Sequence, residues 1–465
     1  MKNEFNNLTR NLIFTVLMIS SIIGALLQTS LTTALPVIMN DLHITATTAQ
    51  WLTSAYALAM GIMVPATAFL LKRFKTKPLF LTGMGLYFLG LLFSAIATVF
   101  PVLLLGRTLQ ALGNGILISM TQVVILTIFP VKQRGTVMGL YGLAIGASPV
   151  LAPTITGIVI DRFDWHIIFW AALLFVFIDI VLAFFVMEDV LDNEQLKFDM
   201  QSMIYSAIGF SGILFSLGNL GTKTFFSTSI ALPLIVGILF LIAFIIRQLR
   251  LEIPFLNLRI FSNKELRLSI IMSMLLYAVM IAGSTLFPMY IQIVRGLSAT
   301  VSGLIMMPGS LIMAIISPFA GKFYDKFGIR KLAVVGSAFM AFSCIGVSFV
   351  GLNTSIPYLI LFYIARLIAI SCIMMPIVTW GMSTLSLEHM SHGTALLTSL
   401  RTISGAIGSA VFIAIMSFAT NVTSTGQIAA NAFGIDVAFT SISVIAVLQF
   451  IIAFLFVDRR TNVNP

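Results

Sequence analysis

The sequence predicts an all-helical integral membrane protein, built as two six-helix bundles with two helices inserted between them, on three observations. First, 59% of its 465 residues are apolar and only 9% are charged, with a mean hydropathy of +1.07. A soluble protein of this size needs about a quarter of its residues charged, so a water-soluble enzyme or regulator is excluded. Second, thirteen stretches of at least 21 residues contain no Asp, Glu, Lys or Arg, and a fourteenth, Asp164 to Glu188, is interrupted only by Asp179. A hydrocarbon core of about 30 Å takes about 20 helical residues, so each stretch crosses once. Third, runs such as Leu79–Ala97 are apolar all round, whereas a barrel strand alternates to keep its inner face wet.

In chain order the predicted spans cover 12–34, 51–71, 79–99, 101–128, 135–158, 167–187, 203–220, 230–247, 268–290, 301–320, 332–351, 356–382, 394–418 and 437–457. Charges set most boundaries. Arg10 and Asp41 enclose the first span, Lys72 to Lys77 separate the second from the third, and Lys132 and Arg134 precede the fifth. With both termini inside, inner segments hold 20 Lys and Arg, against Arg162, Lys223 and Arg295 outside. This asymmetry fixes a cytoplasmic location for both ends in an inner or plasma membrane. The net charge of +10 is therefore an orientation signal that needs no nucleic-acid partner. The first apolar run is far longer than a secretory core, so no cleavable signal peptide is expected. Cys344 and Cys372 fall within spans and read as small core residues.

An acidic segment, Glu188 to Asp199, and a basic one, Arg247 to Arg267, bracket spans 7 and 8. They divide the chain into a six-span unit over 1–190, an insert over 191–266 and a second six-span unit over 267–465. Repetition supports this division. Ala68-Phe-Leu-Leu-Lys72-Arg73-Phe-Lys75-Thr-Lys77 follows span 2, and Gly321-Lys-Phe-Tyr-Asp325-Lys326-Phe-Gly328-Ile-Arg330-Lys331 follows span 10. Each half also carries an arginine in its fourth span, Arg107 and Arg366. Two halves of one plan around a central site is the layout of alternating-access transporters.

The segment Gly321–Lys331 resembles motif A of the major facilitator superfamily: Gly321 and Gly328 allow tight turns, and Asp325 is placed to pair with Lys or Arg or to meet a helix N-terminus. Span 4 carries Arg107-Thr-Leu-Gln110-Ala-Leu-Gly113-Asn114-Gly115, similar to motif B. Span 5 carries Gly142-Leu-Ala-Ile-Gly146-Ala-Ser-Pro149-Val-Leu-Ala-Pro153-Thr-Ile-Thr-Gly157, similar to the antiporter motif C, in which small residues admit a neighbouring helix and prolines bend the span. Together these resemble the fourteen-span drug:proton antiporters of the QacA/EmrB type, over nearly the whole chain. The resemblance implies the major facilitator fold, no cofactor, and export of hydrophobic or cationic drugs and toxic compounds in exchange for protons, by a monomer in contact with lipid.

The chain departs from those relatives in its acids. Their span 1 acid aligns with Leu27, beside Gln28, and the motif A acid of the first half aligns with Lys72; spans 1 and 9 hold no carboxylate. The resemblance assigns Arg107 to proton coupling, while a structural arginine bonded to backbone carbonyls is the bland alternative. Gln110, one turn on, is placed to hold its guanidinium. Asp179 lies about 18 Å from the outer end of span 6, at 1.5 Å per residue, and reads either as a proton carrier or as a permanently protonated or paired residue. An ion pair with Arg107, at a different depth, is not expected.

For the substrate, Gln28, Thr32, Tyr56, Asn114, Gln122, Tyr277, Tyr290, Gln292 and Trp380 are candidates, because polar and aromatic groups within spans are costly unless used. The 24 methionines and 39 phenylalanines suit an adaptable apolar cavity or a lipid-facing surface. Trp51, Trp165 and Trp170 read as interfacial anchors. No phosphate-binding loop is present, and His389 and His392 lack the acids of a catalytic metal site. No convergent nucleophile and base appear, so an enzyme is not expected. An exporter of a physiological solute such as a bile acid, lipid or signalling molecule, or a membrane sensor, are the alternatives.

Overall fold

Fourteen long α-helices carry the described part of the chain in a computed structural model covering residues 6–44, 46–191, 193, 199–219, 227–252, 254, 256–297, 299–422 and 427–457. They are α1 (Asn7–Asp41), α2 (Ala46–Arg73), α3 (Thr76–Ala95), α4 (Phe100–Ile128), α5 (Arg134–Arg162), α6 (His166–Val186) and α7 (Met200–Asn219). Then follow α8 (Thr228–Arg250), α9 (Lys264–Met289), α10 (Ala299–Phe327), α11 (Ile329–Val347), α12 (Ile356–Ser383), α13 (Leu387–Val422) and α14 (Gln427–Phe456). Twelve are long and apolar enough to cross a membrane by length and composition. The two outside that set are α5, rich in Gly, Ser, Thr and Pro, and α7, with Gln201, Ser202, Ser206 and Ser216.

Local chemistry explains the ends. Pro101 and Pro357 sit in the first turns of α4 and α12, where a missing N–H costs nothing. The Asn263 side chain accepts from Leu266 N at 2.9 Å and caps α9. Prolines inside α2, α8, α9, α10 and α12 are tolerated as membrane helices tolerate them, by neighbours that satisfy the freed carbonyls.

Packing repeats between α1–α6 and α9–α14. The pairs α1 with α5, α2 with α4, α3 with α4 and α3 with α6 reappear as α9 with α13, α10 with α12, α11 with α12 and α11 with α14. Two seams join the sets: α5 runs along α10, and α2 along α13. Between them in sequence, α7 and α8 pack on each other, and α7 lies against α2 and α13. The acidic and basic brackets meet there: Arg247 Nε and Nη2 donate to Asp199 at 3.1 and 3.0 Å, and Gln248 Nε2 donates to Ser202 Oγ at 2.6 Å. Burial pulls the Asp199 carboxyl up, but the bonds from Arg247 and Ser202 outweigh it and hold the group below its usual range.

Several expectations change. Most helices start before the predicted spans, α13 by about two turns, since a helix propagates into water beyond its apolar core, whereas α3 and α11 each end about one turn short of theirs. The segment 321–331 is not a loop: α10 continues to Phe327, and only Gly328, at φ 74°, breaks it from α11. Gly321 therefore serves packing and not a turn. Trp165 is no interfacial anchor: it is buried, stacks on His166 and donates Nε1–H to Asp41 Oδ2 at 3.0 Å, a partner supplied by the end of α1. Trp51 and Trp170 do face outward.

Candidate functional site

Three polar assemblies occupy the helix interfaces. The first is centred on Arg107, which is 1% exposed on α4. Gln110 Oε1, one turn along, accepts from Arg107 Nη1 at 2.7 Å; its amide nitrogen donates to Gly90 O at 3.1 Å and Ser94 Oγ at 2.9 Å on α3. The guanidinium lies 4.3 Å from the Tyr56 ring centroid on α2, a cation–π contact worth about 2 kcal/mol when desolvated. Asn114 Nδ2 donates to the Tyr56 hydroxyl at 2.7 Å, and a Cβ on Gly24 of α1 would meet Asn114 Oδ1 at 2.7 Å. Tyr87 lies within electrostatic reach of Arg107 and Tyr56, and its hydroxyl and Arg107 Nε have no partner among the described residues. Four helices thus hold one cation with dipoles and rings and, among the described residues, no carboxylate.

Arg366, its counterpart in the second half, is built differently. Its Nη2 donates to Val279 O at 3.0 Å and Met280 O at 2.7 Å on α9, and Gly283 leaves room for the guanidinium where any Cβ would collide with it. Backbone bonding, the bland alternative for Arg107, is what Arg366 does.

The second assembly sits where the two sets of helices meet. Arg401 of α13, 4% exposed, stacks over Tyr277 of α9 at 4.9 Å. The Tyr141 hydroxyl of α5 lies within electrostatic reach of both, beside Gln122 of α4 and Ser21 of α1. Arg401 Nη1, both amide atoms of Gln122 and Thr398 Oγ1 are buried without well-formed hydrogen bonds.

The third assembly closes the α5–α10 seam where α5 starts and α10 ends. Asp325 Oδ1 accepts from Gly135 N at 2.7 Å, and Oδ2 from Thr136 N at 2.8 Å and Thr136 Oγ1 at 2.6 Å. Of the partners considered for this acid, a helix N-terminus is the one it meets, where the helix dipole favours an anion. Gly321 and Gly135 touch backbone to backbone, and a Cβ on Gly139 would lie 2.7 Å from Ser317 O. Further along, Gly142 meets Met375 and Gly146 meets Met313, while a Cβ on Gly157 would meet nothing within 4 Å. Of the motif C glycines, Gly146 therefore faces α10 across the seam, Gly142 faces α12, and Gly157 faces open space. Lys326 lies over the Phe327 ring at 5.2 Å, and Arg330 is half-buried.

The remaining candidates are dispersed. Gln28 and Gln292 are exposed; Tyr290 is buried and donates to Gly351 O at 2.7 Å; Trp380 is buried with Nε1 unpartnered. Asp179 is fully buried, with both oxygens unpartnered, on the α6 face shared with Val176 and Ala183; α6 packs on α3 and α1. Among the described residues it makes no ion pair with Arg107. The side chains of Thr32, Pro149 and Pro153 lie outside the described residues. Sequence reasoning missed Tyr87, Ser94, Tyr141 and the Gly135–Thr136 cradle; the last is foreshadowed by a Gly-Thr pair at the start of span 5.

The profile of the Major Facilitator Superfamily matches residues 17–409. The uncharacterized MFS-type transporter YcnB of Bacillus subtilis is 35% identical over 446 residues, 96% of this chain and 94% of that protein. The lincomycin resistance protein LmrB of Bacillus subtilis is 36% identical over 403 residues, 86% of this chain and 84% of its own. Among solved structures, the human organic anion transporter MFSD10 superposes with a TM-score of 0.72 at 14% identity, covering 96% of this chain and 99% of that one, a likeness of fold.

Proposed function

The chain belongs to the Major Facilitator Superfamily, and we propose that it is a proton-coupled exporter of hydrophobic drugs and toxic compounds, of the fourteen-span antiporter type. On this reading all fourteen helices cross the plasma membrane, the termini-bearing face is cytoplasmic, and the monomer divides into a bundle over 1–190, an insert over 191–266 and a bundle over 267–465. One observation carries it: the α5–α10 seam is closed by a releasable latch. Asp325 holds the N-terminus of α5 by three hydrogen bonds across otherwise small-residue packing. Two rigid halves joined by short polar bonds at one face are what rocking between inward-open and outward-open states requires. Similarity to a lincomycin resistance protein supports drugs as cargo.

The drive is adequate. A charge moving inward gains about 2.3 kcal/mol per 100 mV, and each pH unit adds about 1.4 kcal/mol. Arg107, held by Gln110 and Tyr56 with no carboxylate, and Asp179, buried without a partner, are the groups proposed to couple the proton. Addition of lincomycin and a panel of hydrophobic compounds to sealed inverted vesicles tests the reading: proton release from acidified vesicles together with compound uptake is the expected result. Absence of both across the panel overturns it. Asp179→Asn that keeps full proton-driven export at normal abundance removes the aspartate from the mechanism.

A further inference from the structure

The exporter reading leaves unexplained the assembly around Arg401, at the junction of α1, α4 and α5 with α9 and α13. Buried polar groups are normally bonded, and each exception calls for a partner the protein itself does not supply. Here two such atoms lie on α13, Arg401 Nη1 and Thr398 Oγ1, and beside them the amide of Gln122 makes no well-formed hydrogen bond, its neighbour being the Tyr141 hydroxyl. Tyr277 stacks on the guanidinium without using its N–H groups, and Tyr141 brings a further hydroxyl. Arg401 lies about 21 Å along α13 from its first residue, at 1.5 Å per residue, well within the membrane-embedded part.

The charge balance of the interior points the same way. Arg107, Arg366 and Arg401 are buried cations in the helix interfaces, whereas the carboxylates within membrane-length helices away from the helix ends are Asp179, which faces α3 and α1, and the half-buried Asp436 of α14, both on the last helix of their bundles. Spans 1 and 9 hold no acid. A cation entering the junction meets like charge, while an anion meets an unused planar fork, the geometry that binds carboxylate and sulfonate in parallel hydrogen bonds.

We propose that the Arg401 junction is the substrate's head-group site, and that the exporter's preferred cargo is an apolar molecule bearing a carboxylate, sulfonate or comparable anionic group. Arg401 takes the anion, Gln122 and Thr398 supply further polar contacts, and Tyr277 and Tyr141 wall the site. This rests on the exporter reading for its transport role but not for its binding chemistry. Because helices of both bundles contribute, rocking takes the site apart, so release accompanies opening.

A matched pair of probes tests it: 1-anilinonaphthalene-8-sulfonate and its uncharged parent N-phenyl-1-naphthylamine, each titrated calorimetrically into the full chain in lipid nanodiscs, with empty nanodiscs subtracted. The wild type is expected to bind the sulfonate about tenfold or more tightly than the parent, a gap of about 1.4 kcal/mol or more. Arg401→Met, which replaces a buried charge by an apolar chain of similar length, is expected to abolish the preference by weakening the sulfonate about tenfold or more. Arg401→Gln gives the same readout should the first variant not accumulate. Equal affinity for both probes in the wild type, or a preference that survives loss of the charge, overturns the proposal. Sulfonate binding without proton exchange in vesicles refutes the coupling and keeps this site; proton-driven export without a sulfonate preference refutes this site alone.

Discussion

The two seams that join the bundles occupy equivalent places in the repeat and carry opposite charges at the same motif position. In one, Asp325 at the end of α10 accepts three hydrogen bonds from the first turn of α5. In the other, Lys72 at the end of α2 lies within electrostatic reach of His392 near the start of α13, and His392 Nδ1 accepts from Asn257 N at 3.3 Å. A helix N-terminus stabilises an anion and repels a cation, each by about 0.3–1 kcal/mol when exposed. The same motif position thus carries an acid at one seam and a base at the other, and at the α5–α10 seam the acid is met by the first turn of the facing helix.

The largest effect that can break this contrast is steric. Gly321→Leu places a side chain against the backbone of Gly135, and overpacking of about 1–3 kcal/mol or more is expected to cut export about tenfold or beyond at normal abundance. Compound uptake by inverted vesicles checks it; unchanged uptake would mean that the seam never needs to close this tightly. Next, Asp325→Asn keeps the shape but removes the charge and leaves one acceptor oxygen where two accept, so at least one N–H of the Gly135–Thr136 cradle loses its partner to an amide NH2 and the remaining bonds become neutral ones. Spin labels at Gln133 and Lys322 are expected to report a wider α5–α10 separation, while labels across α2–α13 do not move. Lys72→Asp sharpens the contrast by giving the second seam an anion; a gain of about 0.3–1 kcal/mol favours the closed face and is expected to slow turnover a few-fold.

Smallest is an effect away from both seams. The Asp199–Arg247 pair fastens the insert, and because Asp199 is held below its ordinary range in the fold, its contribution is present above the unfolded value of about 4 and is lost below it, as pH falls through the lower value of the folded state. Thermal unfolding of the purified chain is expected to lose stability as pH falls below about 4, less so in Asp199→Asn, with export unaffected.

How much of this the sequence reveals depends on the range of each interaction. Hydrocarbon imposes its length on every helix, so positions of the fourteen helices are readable from charge-free stretches. Gln110 against Arg107 is readable too, since residues three apart share a helix face. Tyr56 is recognisable as an unusual residue within a span, but its place over Arg107 depends on how α2 packs on α4. Arg401 shows why the rest is hidden: its neighbours come from α1, α4, α5 and α9, positions separated by up to 380 residues, and no local pattern brings them together. Gly321 was misread for a related reason, because a glycine that admits another backbone looks the same in sequence as one that turns a loop.

The insert has a consequence of its own. On the α2–α13 side, α7 lies across both helices, with Leu214 against Gly61 and Phe215 beside Trp51 at 5.4 Å. Among the described residues no helix covers the α5–α10 side in this way, and there Leu151, Ile155, Leu311 and Ile315 face outward. In the plane of the membrane the protein therefore has a front and a back. Lipid chains therefore meet the α5–α10 seam directly, whereas on the opposite side they meet α7.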